Sequence, residues 1–235
     1  LSDLLKRSPT NYGDFQDKVD AIIKNVRDNG DKAVFDYTAQ FDKAEINADN
    51  ILVTEEEIKE AYEEVDDELI KVIRKAIKNI RDFHEKQIQK SWFETREDGV
   101  MLGQKVTPME TCGVYVPGGK AVYPSSVLMN IVPAHVAGVK NIIMTTPPGK
   151  DGKVTANTLV AAKEAGATKV YKVGGAQAIA AMAFGTESIP KVDKIVGPGN
   201  IFVALAKKAV YGNVSIDSIA GPSEILVLAD ETANP

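Results

Sequence analysis

Two residues with neutral amide side chains directly follow glycine-rich turns in the second half of this 235-residue chain. Gln177 follows Gly-Gly-Ala at 174–176, and Asn200 follows Gly-Pro-Gly at 197–199. An amide offers hydrogen-bond donors and an acceptor, which suits the ribose hydroxyls, carboxamide and phosphate oxygens of a nicotinamide nucleotide. Asn200 is also an ordinary helix N-cap, whereas glutamine is not, so Gln177 is the stronger indication of a ligand.

A third glycine turn, at 117–119, follows an apolar run that contains Tyr115. Glycine lets the backbone approach a ligand closely, and a helix N-terminus offers unpaired N–H groups to an anion. Tyr115 would add an aromatic face beside this turn. None of the turns has the spacing of GxGxxG or GxxxxGK[ST]. The recurrence of such glycine turns in one sheet favours a nucleotide-binding pocket. The alternative interpretation is that the glycines only permit tight turns.

The residues that could bind a metal are few and widely spaced. His84 belongs to the apolar stripe of a long predicted helix, His135 belongs to another helix, and Cys112 is far from both in sequence. A mononuclear zinc site needs at least three protein ligands that converge on the metal. We therefore predict no metal ligand in this chain and interpret both histidines as packing or surface residues.

The glycine turns require strands before them and helices behind them, and the second half of the chain alternates in this way. Strands are predicted at 113–117, 141–145, 168–173 and 194–196. Helices are predicted at 155–164, from residue 176 and from residue 200, and a further helix is predicted to begin with Ser125 and Ser126 as its caps. Repeated βα units predict a parallel sheet with helices on both faces. Ligands of such sheets bind outside the carboxyl ends of the strands.

The first half of the chain is predicted to be helical. Apolar residues at helical spacing start near Phe15, and Gly30 is a plausible helix stop. Further helices are predicted at 32–41, at 54–65 with a Thr54 and Glu57 capping box, and behind Asp66 or Asp67 as N-cap. The segments 92–96 and 100–106 flank Glu-Asp-Gly and predict a β-hairpin.

Composition narrows the class of protein. Hydrophobic residues make up 44% of the chain and charged residues 26%, which is typical of a globular protein. A net charge of −5 argues against nucleic acid or an anionic membrane as the main partner. No apolar run is long enough to cross a bilayer, no secretory leader is visible, and the single cysteine fits a reducing compartment. We therefore expect a cytoplasmic protein.

The segment IDSIAGPSEILVLAD at 216–230 presents Ser223 and Glu224 behind a Gly-Pro turn, followed by an apolar run at 225–229. This segment resembles the signature of the histidinol dehydrogenase family. The segments YVPGGKAVYPSSVLM at 115–129 and VGGAQAIAAMAFGTESIPKVDKIVGPGN at 173–200 are similar to that family in order and spacing. The resemblance runs from about residue 14 to residue 235.

The resemblance implies an enzyme that oxidises L-histidinol to L-histidine through the aldehyde, with two NAD in sequence, as a zinc-dependent homodimer. By resemblance, Tyr115, Gln177 and Asn200 match NAD-contacting positions, and Ser223 matches a substrate-contacting position. Members of the family are roughly twice this length. Their zinc ligands and their Glu-His acid/base pair match nothing here, so we assign no catalytic residue and expect residues 1–235 alone to be inactive.

We predict an α/β fold with a helical N-terminal region plus a β-hairpin, followed by an incomplete Rossmann-like parallel sheet with helices on both faces. Residues 1–111 would form part of a first Rossmann-like domain, 112–222 the nucleotide-binding domain, and 223–235 a strand that returns to the first domain. The chain ends suggest a piece of a longer protein. An alternative function is a non-catalytic nucleotide-binding module, which the length of the natural reading frame would distinguish.

Overall fold

The structure is a computed structural model that describes residues 13–118, 123–220 and 225–233. Within these ranges the first part of the chain contains α1 (Gly13–Phe41), α2 (Glu55–Glu64), α3 (Asp67–His84), β1 (Trp92–Thr95) and β2 (Met101–Gln104). The second part contains β3 (Thr111–Tyr115), α4 (Pro124–Val136), β4 (Asn141–Thr146), α5 (Ala156–Ala165), β5 (Lys169–Lys172), α6 (Gly175–Phe184), β6 (Lys194–Val196), α7 (Ile201–Val210) and β7 (Ser215–Ile216).

The main sheet is parallel, and its described strands lie in the order β5-β4-β3-β6-β7. Its first strand in sequence, β3, is central: Val114 pairs with Met144 of β4 on one side and with Val196 of β6 on the other. This is the Rossmann strand order, in which the winding direction reverses between the two central strands. The predicted α/β fold is confirmed.

Helices cover both faces of the sheet because the strands are apolar on both sides. In β4, Ile143 packs into one core cluster while its neighbours Ile142 and Met144 pack into the other. The first cluster is formed with α1, α6 and α7, and the second with α2, α3, α4 and α5. Side chains alternate across a strand with a period of two, so a central parallel strand must be apolar throughout.

The predicted helix signals of the first part are confirmed in detail. At Gly30 the helix α1 is kinked, with φ 56° and ψ −136°, and the N–H of Asp31 donates to Glu187 Oε2 at 2.8 Å. Thr54 and Glu57 form the capping box of α2, and Asp66 is the N-cap of α3. The strands β1 and β2 form the predicted antiparallel hairpin.

One local prediction was wrong. Ser125 and Ser126 do not cap α4, because the helix begins earlier, at Pro124, and its N-cap residue Tyr123 makes no side-chain capping bond. Proline at the first helical position is favoured since its φ suits the helix and its missing N–H is not needed there. The strand at 223–235 that returns to the first domain remains a prediction: within the described residues, 225–229 has no regular secondary structure, and Leu228 is 93% exposed.

A strand needs a neighbouring strand to satisfy its backbone hydrogen-bonding groups, and the segment 225–229 pairs with no strand of the described residues.

The domain boundaries at residues 111 and 222 remain predictions. No helix of the described residues is long and apolar enough to span a membrane.

Candidate functional site

A cleft of about 850 Å³ lies at the edge of the sheet where β3, β4, β5 and β6 end. One wall consists of the ends of these strands, the turns that follow them in sequence and the first residues of the next helices: Tyr115, Pro117, Gly118, Pro147, Pro148, Gly175, Ala176, Gln177, Asn200 and Phe202. The opposite wall is α1 and its end: Lys18, Ala21, Ile22, Tyr37, Gln40, Phe41 and Asp42. The cleft therefore occupies the point of reversed winding, where open α/β sheets bind their ligands, and its volume is typical of a cofactor site.

Gln177 carries the clearest sign of a ligand. It is the third residue of α6, it is 1% exposed, and neither its Oε1 nor its Nε2 has a hydrogen-bond partner among the described residues. A buried polar group without a partner costs about 1–3 kcal/mol. Because Gln177 lines the cleft, a ligand bound there could supply the missing partners.

Tyr115 joins two of the turns. Its hydroxyl oxygen accepts a hydrogen bond from the backbone N–H of Gly175 at 3.1 Å. Burial raises the pKa of this phenol, and the hydrogen bond from Gly175 opposes the rise. The ring lines the cleft but is only 3% exposed, so its main visible role is to hold the start of α6 against the end of β3.

Asn200 has a structural role that the sequence indicated. It is the N-cap of α7, and its Oδ1 accepts a hydrogen bond from the N–H of Val203 at 3.2 Å. The side chain lies on the exposed side of the cleft. Its amide nitrogen remains available to donate to a ligand.

The glycines themselves are explained by close packing. A Cβ added at Gly118 or at Gly174 would lie 2.5 Å from a side-chain carbon of Pro147, which is wedged between the two turns. A Cβ at Gly197 would lie 2.0 Å from the carbonyl oxygen of Tyr115, and Gly197 has φ +118°. The alternative that the glycines permit tight turns accounts for these positions, so the indication of a ligand rests on Gln177. Gly119 and Ser223 lie outside the described residues.

An ion pair that sequence reasoning missed, between the buried Lys207 and the partly exposed Asp217, holds the glycine turn at 197–199. The N–H of Gly197 donates to Asp217 Oδ2 at 2.9 Å, and the Gly197 carbonyl accepts from Lys207 Nζ at 2.9 Å. Lys207 and Asp217 also pair with each other, and the Lys207 side chain is 4% exposed. The only signal in the sequence was a lysine on the apolar side of a short helix.

A second missed residue is Asp42, directly behind α1. It lines the cleft, and its Oδ2 is buried without a hydrogen-bond partner among the described residues. Burial raises the pKa of this carboxyl to about 6. An aspartate at the end of an amphipathic helix normally faces solvent, so no pattern in the sequence identifies this residue.

The residues that the structure describes offer no zinc site. They contain no group of three or more His, Cys, Asp or Glu side chains that could hold a metal ion. His84 Nδ1 pairs with Gln87 Oε1 at 2.7 Å, and His135 packs beside Gly166. Cys112 is buried, which raises the pKa of its thiol to about 11 and keeps it protonated. Zinc therefore does not fit the donor set of these residues.

The strand order and the cleft at the point of reversed winding define a doubly wound α/β protein of the Rossmann-like class. The family profile described as Histidinol dehydrogenase matches residues 5–235. The chain belongs to the histidinol dehydrogenase family.

Relatives and a solved structure agree with this assignment. The chain is 63% identical over 217 residues to histidinol dehydrogenase of Bacillus subtilis (strain 168), which covers 92% of this chain and 50% of the relative. It is 52% identical over 235 residues to that of Carboxydothermus hydrogenoformans, which covers 100% of this chain and 55% of the relative. The crystal structure of histidinol dehydrogenase from Elizabethkingia anophelis superposes with a TM-score of 0.90 at 42% identity, over 99% of this chain and 54% of that one. The chain thus spans about half the length of these relatives.

Proposed function

We propose that the protein containing this chain oxidises L-histidinol to L-histidine, and that the cleft at the carboxyl edge of the sheet binds NAD. Membership of the histidinol dehydrogenase family supports the reaction. The observation that carries the position of the cofactor is Gln177, whose buried amide has no hydrogen-bond partner among the described residues and lines a cleft of suitable size. When bound, NAD would supply the acceptor for the hydride of the alcohol.

Each residue of the cleft has a distinct part in this proposal. The Gln177 amide would donate to and accept from the dinucleotide, and the Asn200 amide nitrogen would donate to it. Tyr115 would contact the dinucleotide and position the start of α6 through Gly175. By resemblance, Ser223 would contact the substrate.

The remaining chemistry would come from outside the described residues. Oxidation of an alcohol needs a base for its proton, and the family resemblance implies zinc and a Glu-His pair beyond residue 235. We propose that the complete protein is a cytoplasmic homodimer whose partner molecule is a small substrate, and neither nucleic acid nor a membrane. A non-catalytic nucleotide-binding module is the competing proposal for a protein that ends near residue 235.

The test is the stoichiometry of the reaction of the intact protein. Oxidation of an alcohol to a carboxylate removes four electrons, so each L-histidinol consumed must yield two NADH and one L-histidine. NADH absorbance and chromatography of the amino acid would measure both products. The absence of NADH formation would contradict the proposed reaction, and NADH without histidine would contradict the proposed product.

A further inference from the structure

Asp42 is a carboxylate for which the described part of the fold shows no structural role. It stands on the wall of the cleft opposite the glycine turns, directly behind the last residue of α1. Its backbone N–H donates to the Thr38 carbonyl at 2.9 Å and completes the last turn of the helix. Its side chain, in contrast, caps nothing and forms no ion pair within the described residues, and its Oδ2 is shielded from water. Packing therefore gives no reason for a carboxylate here.

The position of Asp42 is unfavourable in two ways. Burial disfavours the ionised form, so the pKa of the carboxyl rises to about 6. The C-terminal end of a helix carries partial negative charge, which also disfavours an anion. Charged groups in unfavourable surroundings within a cleft are typical of functional sites.

Other charged and ionisable side chains of the cleft do not neutralise Asp42. Lys18 lines the same wall but is exposed and makes no ion pair with it. The Tyr37 hydroxyl accepts from Asn25 Nδ2 at 3.1 Å, and the Tyr115 hydroxyl accepts from Gly175. The negative charge of Asp42 contributes to the raised pKa of Tyr115, so the two side chains are close enough to interact.

The sheet offers no acid at the place where Rossmann-type proteins usually have one. In many of them an Asp or Glu about 20 residues behind the first glycine turn hydrogen-bonds a ribose hydroxyl of NAD. Here the second strand of the sheet, β4, runs directly into Pro147 and Pro148, which line the cleft without a polar side-chain atom. Among the described residues that line the cleft, the carboxylate available for this place is Asp42, which α1 brings there.

We propose that the Asp42 carboxylate accepts hydrogen bonds from the vicinal hydroxyls of a ribose of the bound dinucleotide and excludes a dinucleotide phosphorylated on that ribose. The inference rests on the proposed NAD site. An ionised carboxylate accepts hydrogen bonds at two oxygens and donates none, so it matches the two donors of a diol. A phosphate in place of one hydroxyl would bring a second negative charge against a carboxylate that no cation of the described residues pairs.

The test is the ratio of NAD to NADP affinity, measured by calorimetric titration of the intact protein. Wild type is expected to bind NAD at least tenfold more tightly than NADP. In Asp42→Asn the repulsion is gone, so the ratio should fall roughly tenfold, with NADP affinity rising. Asp42→Ala should lose NAD affinity roughly tenfold, because the diol loses its acceptors. Asp49→Asn, a change at an exposed aspartate outside the cleft, should match wild type.

The outcomes separate this inference from the proposed site. If Gln177→Ala weakens NAD binding while both Asp42 variants keep the wild-type ratio, the role of Asp42 is overturned and the NAD site stands. Equal losses of NAD and NADP affinity in Asp42→Asn would indicate a merely structural role and overturn the inference as well. If wild type binds no NAD, the proposed site and the inference fall together.

Discussion

The hydroxyl of Tyr115 accepts a hydrogen bond from the N–H of Gly175, 60 residues further along the chain, at 3.1 Å. This bond fixes the end of β3 against the first residue of α6, two positions before Gln177. The position of Gln177, which carries the clearest sign of a ligand, therefore depends on β3, the strand beside which the winding of the sheet reverses.

Removing this bond should affect both stability and binding. In Tyr115→Phe the Gly175 N–H loses its acceptor, and we expect the free energy of unfolding to fall by about 1 kcal/mol. NAD affinity should fall by a similar free energy because the start of α6 is held less firmly. Urea unfolding and calorimetric titration measure the two effects, and Tyr123→Phe, at an exposed tyrosine, is the control. A variant that loses stability but keeps full affinity would show that the bond does not position the site.

The Lys207–Asp217 pair should be a main support of the glycine turn at 197–199. Lys207→Met leaves the Gly197 carbonyl without its donor and Asp217 without its counter-charge. We expect a loss of about 2–3 kcal/mol in the free energy of unfolding, less than for a fully buried pair, because the Asp217 side chain is 33% exposed. Lys208→Met changes the exposed neighbour on the same helix and should cost less than about 0.5 kcal/mol. Equal losses in the two variants would contradict the role of the pair.

The raised pKa of Asp42 predicts a pH-dependent difference in stability. The carboxyl has a pKa of about 6 in the folded protein and an ordinary value of 3.8, so between these values the folded state holds a proton that the unfolded state has released. Without ligand, the Asp42 contribution to stability therefore decreases as the pH rises from about 4 to about 6, then stays constant. Asp42 is the one carboxyl among the described residues that line the cleft.

Asp42→Asn removes that contribution. Above pH 6 the variant should be more stable than wild type by about 1–2 kcal/mol, after allowance for the partial exposure of the site, and near pH 4 the two should be equal. Thermal unfolding at a series of pH values in the absence of NAD measures the difference, with Asp49→Asn as control. A difference that does not change with pH would contradict a carboxyl of raised pKa at this position.

Residues 1–235 taken alone are predicted to form no NADH from L-histidinol and to hold no stoichiometric zinc. The described residues bring no three candidate metal ligands together. Absorbance assays and metal analysis would compare this polypeptide with one that contains the remaining half of the protein, which should regain both properties. Turnover by residues 1–235 would contradict the assignment of the acid/base and metal residues to the other half.

Local patterns in the sequence predicted most of the sheet and its helices. The capping box of Thr54 and Glu57 depends on neighbours in sequence, as does the cap of α7 by Asn200, so both could be identified in advance. Ser125 was misjudged because Pro124 takes the first helical position. The strand β7 has two residues, too few to show a period.

Features that depend on distant parts of the chain were beyond sequence reasoning. The apolar run at 225–229 has strand composition, yet a strand forms only where a partner strand is present. The burial of Asp42 arises where the end of α1 meets the ends of the strands. The Lys207–Asp217 pair arises where α7 meets the loop after β7. Gln177 was selected from its sequence position, but only the fold shows that its amide has no hydrogen-bond partner in the described part of the chain.

The central claim, that the cleft binds NAD through Gln177, is tested most directly by calorimetric titration of NAD into the intact protein. Wild type should bind, and Gln177→Ala should bind about 1–3 kcal/mol more weakly, roughly 5- to 150-fold in Kd. Gln104→Ala, at an exposed glutamine of the hairpin, should bind as wild type does. Equal NAD affinity in wild type and Gln177→Ala would contradict the assignment of the site.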